Sequence, residues 1–170
     1  MARFCNSPIA LISRLQSIPS NSTDNCPPQS CPRDYEYAPG SPSPCFCAAP
    51  LFIDYRLKSP GFSDFPAYFY PFEVYLTTGL KINHFQLDLT YEWQKGPRLQ
   101  MDLKIFPAYT GPDSNTFNRS EVDRIRSMFT QWKIPDSEIF GPYELLDFTL
   151  VGPYEECSSP YPPILIISRF

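Results

Sequence analysis

Past Pro50 the apolar and polar positions fall into two distinct rhythms. Leu51, Ile53, Tyr55 and Leu57 alternate with Asp54, Arg56 and Lys58, the two-residue period of a strand with one buried face. Ser59-Pro60-Gly61 stops it, and Phe65, Phe69, Phe72 and Leu76 then recur at steps of four, three and four, which places them on one side of a helix. Pro71 inside a helix removes a backbone bond and crowds the preceding turn, so the regular part is expected to begin near Tyr70 and to stop at Gly79. Phe85, Leu87, Leu89, Tyr91 and Trp93, set against Gln86, Asp88, Thr90 and Glu92, predict a second strand. Gln94-Lys95-Gly96-Pro97 supplies a turn, and Leu99, Met101, Leu103 and Ile105 alternate with Gln100, Asp102 and Lys104 in the returning arm of an antiparallel hairpin. Asn118 with Glu121 three residues later is a helix start; Val122, Ile125, Met128, Phe129 and Trp132 form its apolar stripe, Arg124 and Arg126 point away, and Ile134-Pro135 ends it. A fourth strand spans 143–151, between Gly141-Pro142 and Gly152-Pro153.

This order predicts an α+β fold of the split βαβ kind, ferredoxin-like or SEA-like: a four-stranded antiparallel sheet with two helices on one face. Residues 51–152 form that body. Before it lie an irregular remnant over 1–25 and a Cys- and Pro-rich loop segment over 26–50; an irregular tail over 153–170 follows. Many of the 21 prolines crowd the two ends, where little apolar area is buried and covalent links are a substitute for a core.

Charge excludes one class of partner. The net charge is -4 and none of the 14 basic residues forms a run, so the clustered cations that bind phosphates are missing and nucleic acid is set aside. Six cysteines and the sequons Asn21-Ser22-Thr23 and Asn118-Arg119-Ser120 fit an oxidising secretory compartment, with Asn21 and Asn118 as glycosylation candidates. The longest apolar run in 1–15 is too short for a leader core, and 164–167 is far below the roughly 20 residues that cross a bilayer. An extracellular-looking body without export signal or anchor reads as a piece of something larger.

Several longer motifs carry a resemblance. Cys45-Phe46-Cys47-Ala48-Ala49-Pro50-Leu51, Tyr55-Arg56-Leu57-Lys58-Ser59-Pro60-Gly61-Phe62-Ser63-Asp64-Phe65, Trp93-Gln94-Lys95-Gly96-Pro97-Arg98-Leu99, Phe117-Asn118-Arg119-Ser120-Glu121-Val122 and Phe140-Gly141-Pro142-Tyr143-Glu144-Leu145-Leu146 resemble the segment between the leucine-rich repeats and the transmembrane helix of subfamily VIII-1 plant receptor-like kinases. The resemblance covers most of 26–154. It implies a juxtamembrane ectodomain module on the extracellular side of the plasma membrane, next to leucine-rich repeats and receptor co-partners, in a family linked to peroxide and quinone sensing through ectodomain cysteines. The chain departs from the family pattern in lacking the repeats, the membrane span and the kinase with its glycine-rich loop, lysine and catalytic loop, so no phosphoryl transfer is expected of it. Asp147 stands where such relatives often carry a sequon asparagine. The order of elements also resembles a SEA domain, but the turn where some of those cleave themselves holds Gly96-Pro97 and no serine.

Among candidate chemical groups, Cys26, Cys31, Cys45 and Cys47 are foremost. Four cysteines allow three pairings; a Cys45–Cys47 bond would be strained, so cross-pairing is expected. Three readings stay open: inert staples for the proline-rich loop, a labile pair open to oxidant or exchange, and a four-thiolate zinc site at unfavourable spacing. His84, the sole histidine, is read as a solvent-facing turn residue and not as a catalytic base. Asp88, Glu92 and Asp102 line the polar face of the hairpin and are read as solvated strand residues paired with Lys104 or Lys95. Phe65, Phe69, Phe72, Phe85, Tyr91, Trp93, Phe129 and Trp132 are assigned to the core, and Tyr35, Tyr37, Tyr68 and Tyr70 to the surface. No cofactor is implied, and Cys5 and Cys157 stand apart near the ends. The alternative to a receptor module is a freestanding secreted binding module, acting through the hairpin or its tyrosines with no redox role.

Overall fold

In the computed structural model, which describes residues 26–28 and 30–157, a two-stranded ribbon precedes a four-stranded sheet backed by two helices. The ribbon is β1 (Glu36–Tyr37) against β2 (Cys47–Ala48). β3 (Leu51–Leu57), α1 (Phe69–Leu80), β4 (Leu87–Gln94), β5 (Arg98–Ile105), α2 (Arg119–Thr130) and β6 (Tyr143–Thr149) follow. The sheet order is β4-β5-β3-β6, with every neighbour antiparallel. The α+β class is therefore as the periodicity predicts.

Alternation sets the layers. Leu51, Ile53, Tyr55 and Leu57 of β3 and Leu99, Met101, Leu103 and Ile105 of β5 are buried, and they share one core with Phe72, Leu76 and Leu80 of α1 and Val122, Ile125 and Phe129 of α2. Both helices thus cover the same sheet face, and the alternate residues of each strand meet solvent. Tyr55 sits where the layers meet, its ring 6.1 Å from Phe72, 6.1 Å from Phe129 and stacked on Tyr143 at 4.9 Å.

The helices depart from the sequence expectation at their ends. A 3-10 turn, Pro66–Tyr68, leads into α1, so Pro71 falls in the first turn, where a missing N–H costs nothing. Gly79 does not stop α1. It is buried inside the helix, and a side chain there would press on Pro135 Cδ and Ile134 Cγ2 at 3.2 and 3.3 Å; the stop is Lys81, whose left-handed backbone (φ 57) returns its N–H to Thr77 and Thr78. α2 begins at Asn118 as expected, the side-chain oxygen accepting from Glu121 N, but ends at Thr130, before a left-handed Trp132. Arg124 does not point away. Its guanidinium holds Glu121 and donates to Leu80 O at 2.7 Å, supplying the partner that a helix C-terminal carbonyl lacks.

Two further departures concern strands. Phe85 belongs to a 3-10 turn (His84–Gln86) and is 39% exposed, while Tyr91 and Trp93 are each 37% exposed. β4 is an edge strand, and beyond Leu89 the aromatic contacts of its inner face are with the 59–69 segment: Tyr91 touches Phe65 and Phe69, and Trp93 touches Phe62. In β6, a register shift opposite Asp54 and Tyr55 loops out Leu146, which lets Leu145 and Phe148 both face inward although an odd step separates them.

The shift also fixes a row of carboxylates on the outer face. Asp54 lies between Asp102 and Asp147 on the neighbouring strands. Burial, then the charges of Asp102 and Asp147, push its carboxyl up from the ordinary value. An acid with a raised folded-state pKa binds its proton more tightly when folded, so its contribution is favourable at low pH and is lost as pH rises through the unfolded value, about 3.9, towards the folded one. Asp54→Asn should therefore melt higher than wild type at pH 7, with the gap closing towards pH 4. Thermal melts at the two pH values check this, and an equal or lower melting temperature at pH 7 would refute it.

Candidate functional site: the crossed disulfides of the prefix

Residues 26–50 have little regular structure to bury. Their own apolar cluster is small: Ala38 and Ala48 on Phe106, with Phe46 packed against them. Three kinds of link hold them to the body. Tyr35 reaches the main core. Lys104, on the outer sheet face, pairs at 2.6 Å with Glu36 of β1, and not with the hairpin carboxylates assigned to it from sequence. Gly40 lies so close to Phe85 that an added side chain would meet its backbone oxygen at 2.6 Å.

Covalent bonds close the segment on itself. Cys26 is bonded to Cys45 and Cys31 to Cys47, each pair with Cα atoms 5.5 Å apart. All four predicted cysteines thus come together, cross-paired across the ribbon, and among the described residues no cysteine is free. Sulfurs committed to disulfides cannot serve as thiolate ligands, so the zinc reading has no donors here. The two bonds differ in surroundings. Cys31 and Cys47 pack on the main core; Cys26 and Cys45 take no part in that contact, and Cys45 holds a left-handed backbone (φ 55), a conformation that disfavours residues bearing a side chain. Arg33, close to the cluster in sequence, is exposed and lies 3.8 Å from Asp34.

Other candidates stay apart. His84 is exposed on its turn, as expected. Asp88 is half-buried, and Glu92 and Asp102 are exposed, so no enclosed pair for acid–base work forms. Asn118 is exposed at the α2 cap; Asn21 and Cys5 lie outside the described residues. Of the tyrosines assigned to the surface, Tyr70 is exposed while Tyr35 is buried.

One structural centre was not visible in the sequence. The stretch expected to open an irregular tail is a 3-10 helix, Gly152–Cys157, whose Tyr154 and Cys157 are fully buried, with Cys157 itself disulfide-bonded. The Tyr154 hydroxyl accepts from Phe117 N at 3.0 Å and donates to Ala49 O at 2.8 Å. One phenol thereby ties the entry to α2 and the entry to β3 to the segment after β6. A lone tyrosine between Pro153 and a pair of glutamates has no periodicity to announce it; the nearby cysteine is the single clue.

Over 146 residues, 83% of the chain, it is 44% identical to a protein of Arabidopsis thaliana described as an LRR receptor-like serine/threonine-protein kinase. It is 45% identical over 141 residues to a second, described as a leucine-rich repeat receptor-like serine/threonine-protein kinase. The matched stretches are 15% and 14% of those proteins' lengths. No family model and no solved structure matches the chain. Among the described residues, no helix is long and apolar enough to cross a membrane.

Proposed function

The chain belongs with the plant leucine-rich-repeat receptor-like kinases as a homologue of one segment of them, and on that premise we propose that it is a non-catalytic extracellular juxtamembrane module, a stiff spacer fastened by crossed disulfides. The observation that carries this reading is the pairing of Cys26 with Cys45 and Cys31 with Cys47. Disulfides persist in oxidising compartments, and they fasten segments too poor in core to hold themselves. The sheet with its shared helical core then supplies the rigid body between neighbours on either side. The test is to isolate the natural protein with thiols blocked at lysis and to map its peptides without reduction. The two crossed linkages should be recovered with no alkylated cysteine among the four; free thiols at these positions would place the chain in a reducing compartment and remove the reading.

A redox role within the same module is favoured by the unequal surroundings of the two bonds. With all four sulfurs oxidised, a sensing step must pass through reduction or exchange. A thiolate attacking Cys26 or Cys45 forms a mixed disulfide and releases the other sulfur as thiolate. A second thiol resolves the mixed disulfide, leaving the attacking pair as its own disulfide and Cys26 and Cys45 as a dithiol. That dithiol can reduce one hydrogen peroxide to two waters as the bond re-forms. Cys26–Cys45, away from the core and strained at Cys45, should open first under graded reductant, and Cys31–Cys47 later. Differential alkylation at each reductant concentration reads the order; simultaneous opening would leave the staple role alone.

A further inference from the structure

Asn118 does two things at once. Its side-chain oxygen caps α2, accepting from Glu121 N at 2.9 Å and from the Ser120 hydroxyl at 2.7 Å. Its amide nitrogen is uncommitted on an exposed residue. Asn118-Arg119-Ser120 is a glycosylation sequon, and attachment through nitrogen leaves the carbonyl oxygen, and hence the cap, intact. Asn118 also lines a groove of about 410 Å³, within the roughly 300–1,000 Å³ of small-ligand clefts. The groove's lining is mainly polar, with Lys81, Asp113, Ser114 and Glu121 among it, and Ala108 and Phe117 contribute smaller apolar patches. That is the chemistry of an N-acetylated sugar, with hydroxyls for the polar lining and an acetyl methyl and a ring face for the apolar patches.

We propose that Asn118 carries an N-linked glycan and that its first N-acetylglucosamine packs into this groove. The site rests on the extracellular reading above, because the donor is a lipid pyrophosphate-linked oligosaccharide of the secretory pathway. In the transfer, the bond from sugar C1 to Asn118 Nδ2 forms as the C1–O bond to pyrophosphate breaks. The lipid pyrophosphate leaves with the electron pair and the amide gives up one proton. Packing of the first sugar then holds the 107–117 loop against the end of α1.

The test uses the full chain sent into the secretory pathway of a plant cell behind an added leader, so that export is not itself in question. Wild type should return an Asn118 peptide bearing glycan. Asn118→Asp keeps a carboxylate cap but offers no acceptor nitrogen, Ser120→Ala destroys the sequon independently, and both should be unmodified there. After endoglycosidase trimming to one sugar, amide exchange across 107–117 should be several-fold slower than in Asn118→Asp, with a higher melting temperature. An unmodified Asn118 in secreted wild type with both prefix disulfides formed overturns the site and leaves the spacer reading standing. A modified Asn118 whose loop exchanges and melts like Asn118→Asp overturns the groove.

Discussion

Tyr154→Phe should be among the most damaging single-atom deletions in the molecule, lowering stability by about 3 kcal/mol. The ring stays, so packing is preserved; only the oxygen goes. It leaves behind the N–H of Phe117 and the carbonyl of Ala49, both in buried residues, each losing its partner at a desolvation cost of about 1–3 kcal/mol. A domain of this size has about 5–15 kcal/mol in total, so the melting temperature should fall by about 10 °C. Urea and thermal unfolding measure it, and a loss below about 1 kcal/mol would mean that water or backbone movement replaces the hydroxyl.

The same phenol gives a pH signature. Burial pushes its pKa well above the ordinary tyrosine value, with the Phe117 N–H bond pulling the other way and Tyr35 adding to the rise. Folded chains therefore keep the proton where unfolded chains release it, above about pH 10. Stability is intact below that pH and falls as pH rises through it. Tyr55, fully buried, acts in the same direction. In Tyr154→Phe the alkaline limb should be shallower than in wild type, a change that a purely steric effect of the substitution would not produce.

How far the sequence speaks for this fold depends on whether a residue answers to a period. β3 and β5 alternate cleanly because they are inner strands with one face wholly covered, and Asn118 caps α2 through a bond local in sequence. β4 alternates just as well, yet Tyr91 and Trp93 are half in solvent, because periodicity reports the orientation of a side chain and not what lies above it. Leu145 and Leu146 break the alternation of β6, and only the register with β3 shows that the break is a bulge. Gly79 imitates a helix stop, but its smallness serves the approach of Ile134 and Pro135. Arg124 and Tyr154 take partners 44, 37 and 105 residues away, a distance at which no local pattern exists. The cysteine cluster and its cross-pairing were legible, but which of the two crossed pairings forms was not.

That pairing leads to the second large effect. Replacing Cys31 and Cys47 together by serine should cost more than replacing Cys26 and Cys45, although the sequence separations, 16 and 19 residues, are nearly equal. Loop-closure entropy for either is about 3 kcal/mol, so it cannot separate them. The native state does: Cys31 and Cys47 rest on the main core, where serine hydroxyls would lose water without a gained partner, whereas freeing Cys45 also relieves its left-handed backbone. The first pair should therefore lose about 3–4 kcal/mol and the second about 2–3 kcal/mol. Urea unfolding of the two double variants compares them directly. In the Cys31 and Cys47 variant, hydrogen exchange should show β1 and β2 opening before β3 and β5, because the contacts that hold the ribbon, Tyr35, the Glu36–Lys104 pair and the small Phe106 cluster, are few beside the core that holds the sheet. Equal losses, or the reverse order, would mean that the two bonds share one environment, and the division into a core staple and an outer, exchangeable bond would fail with it.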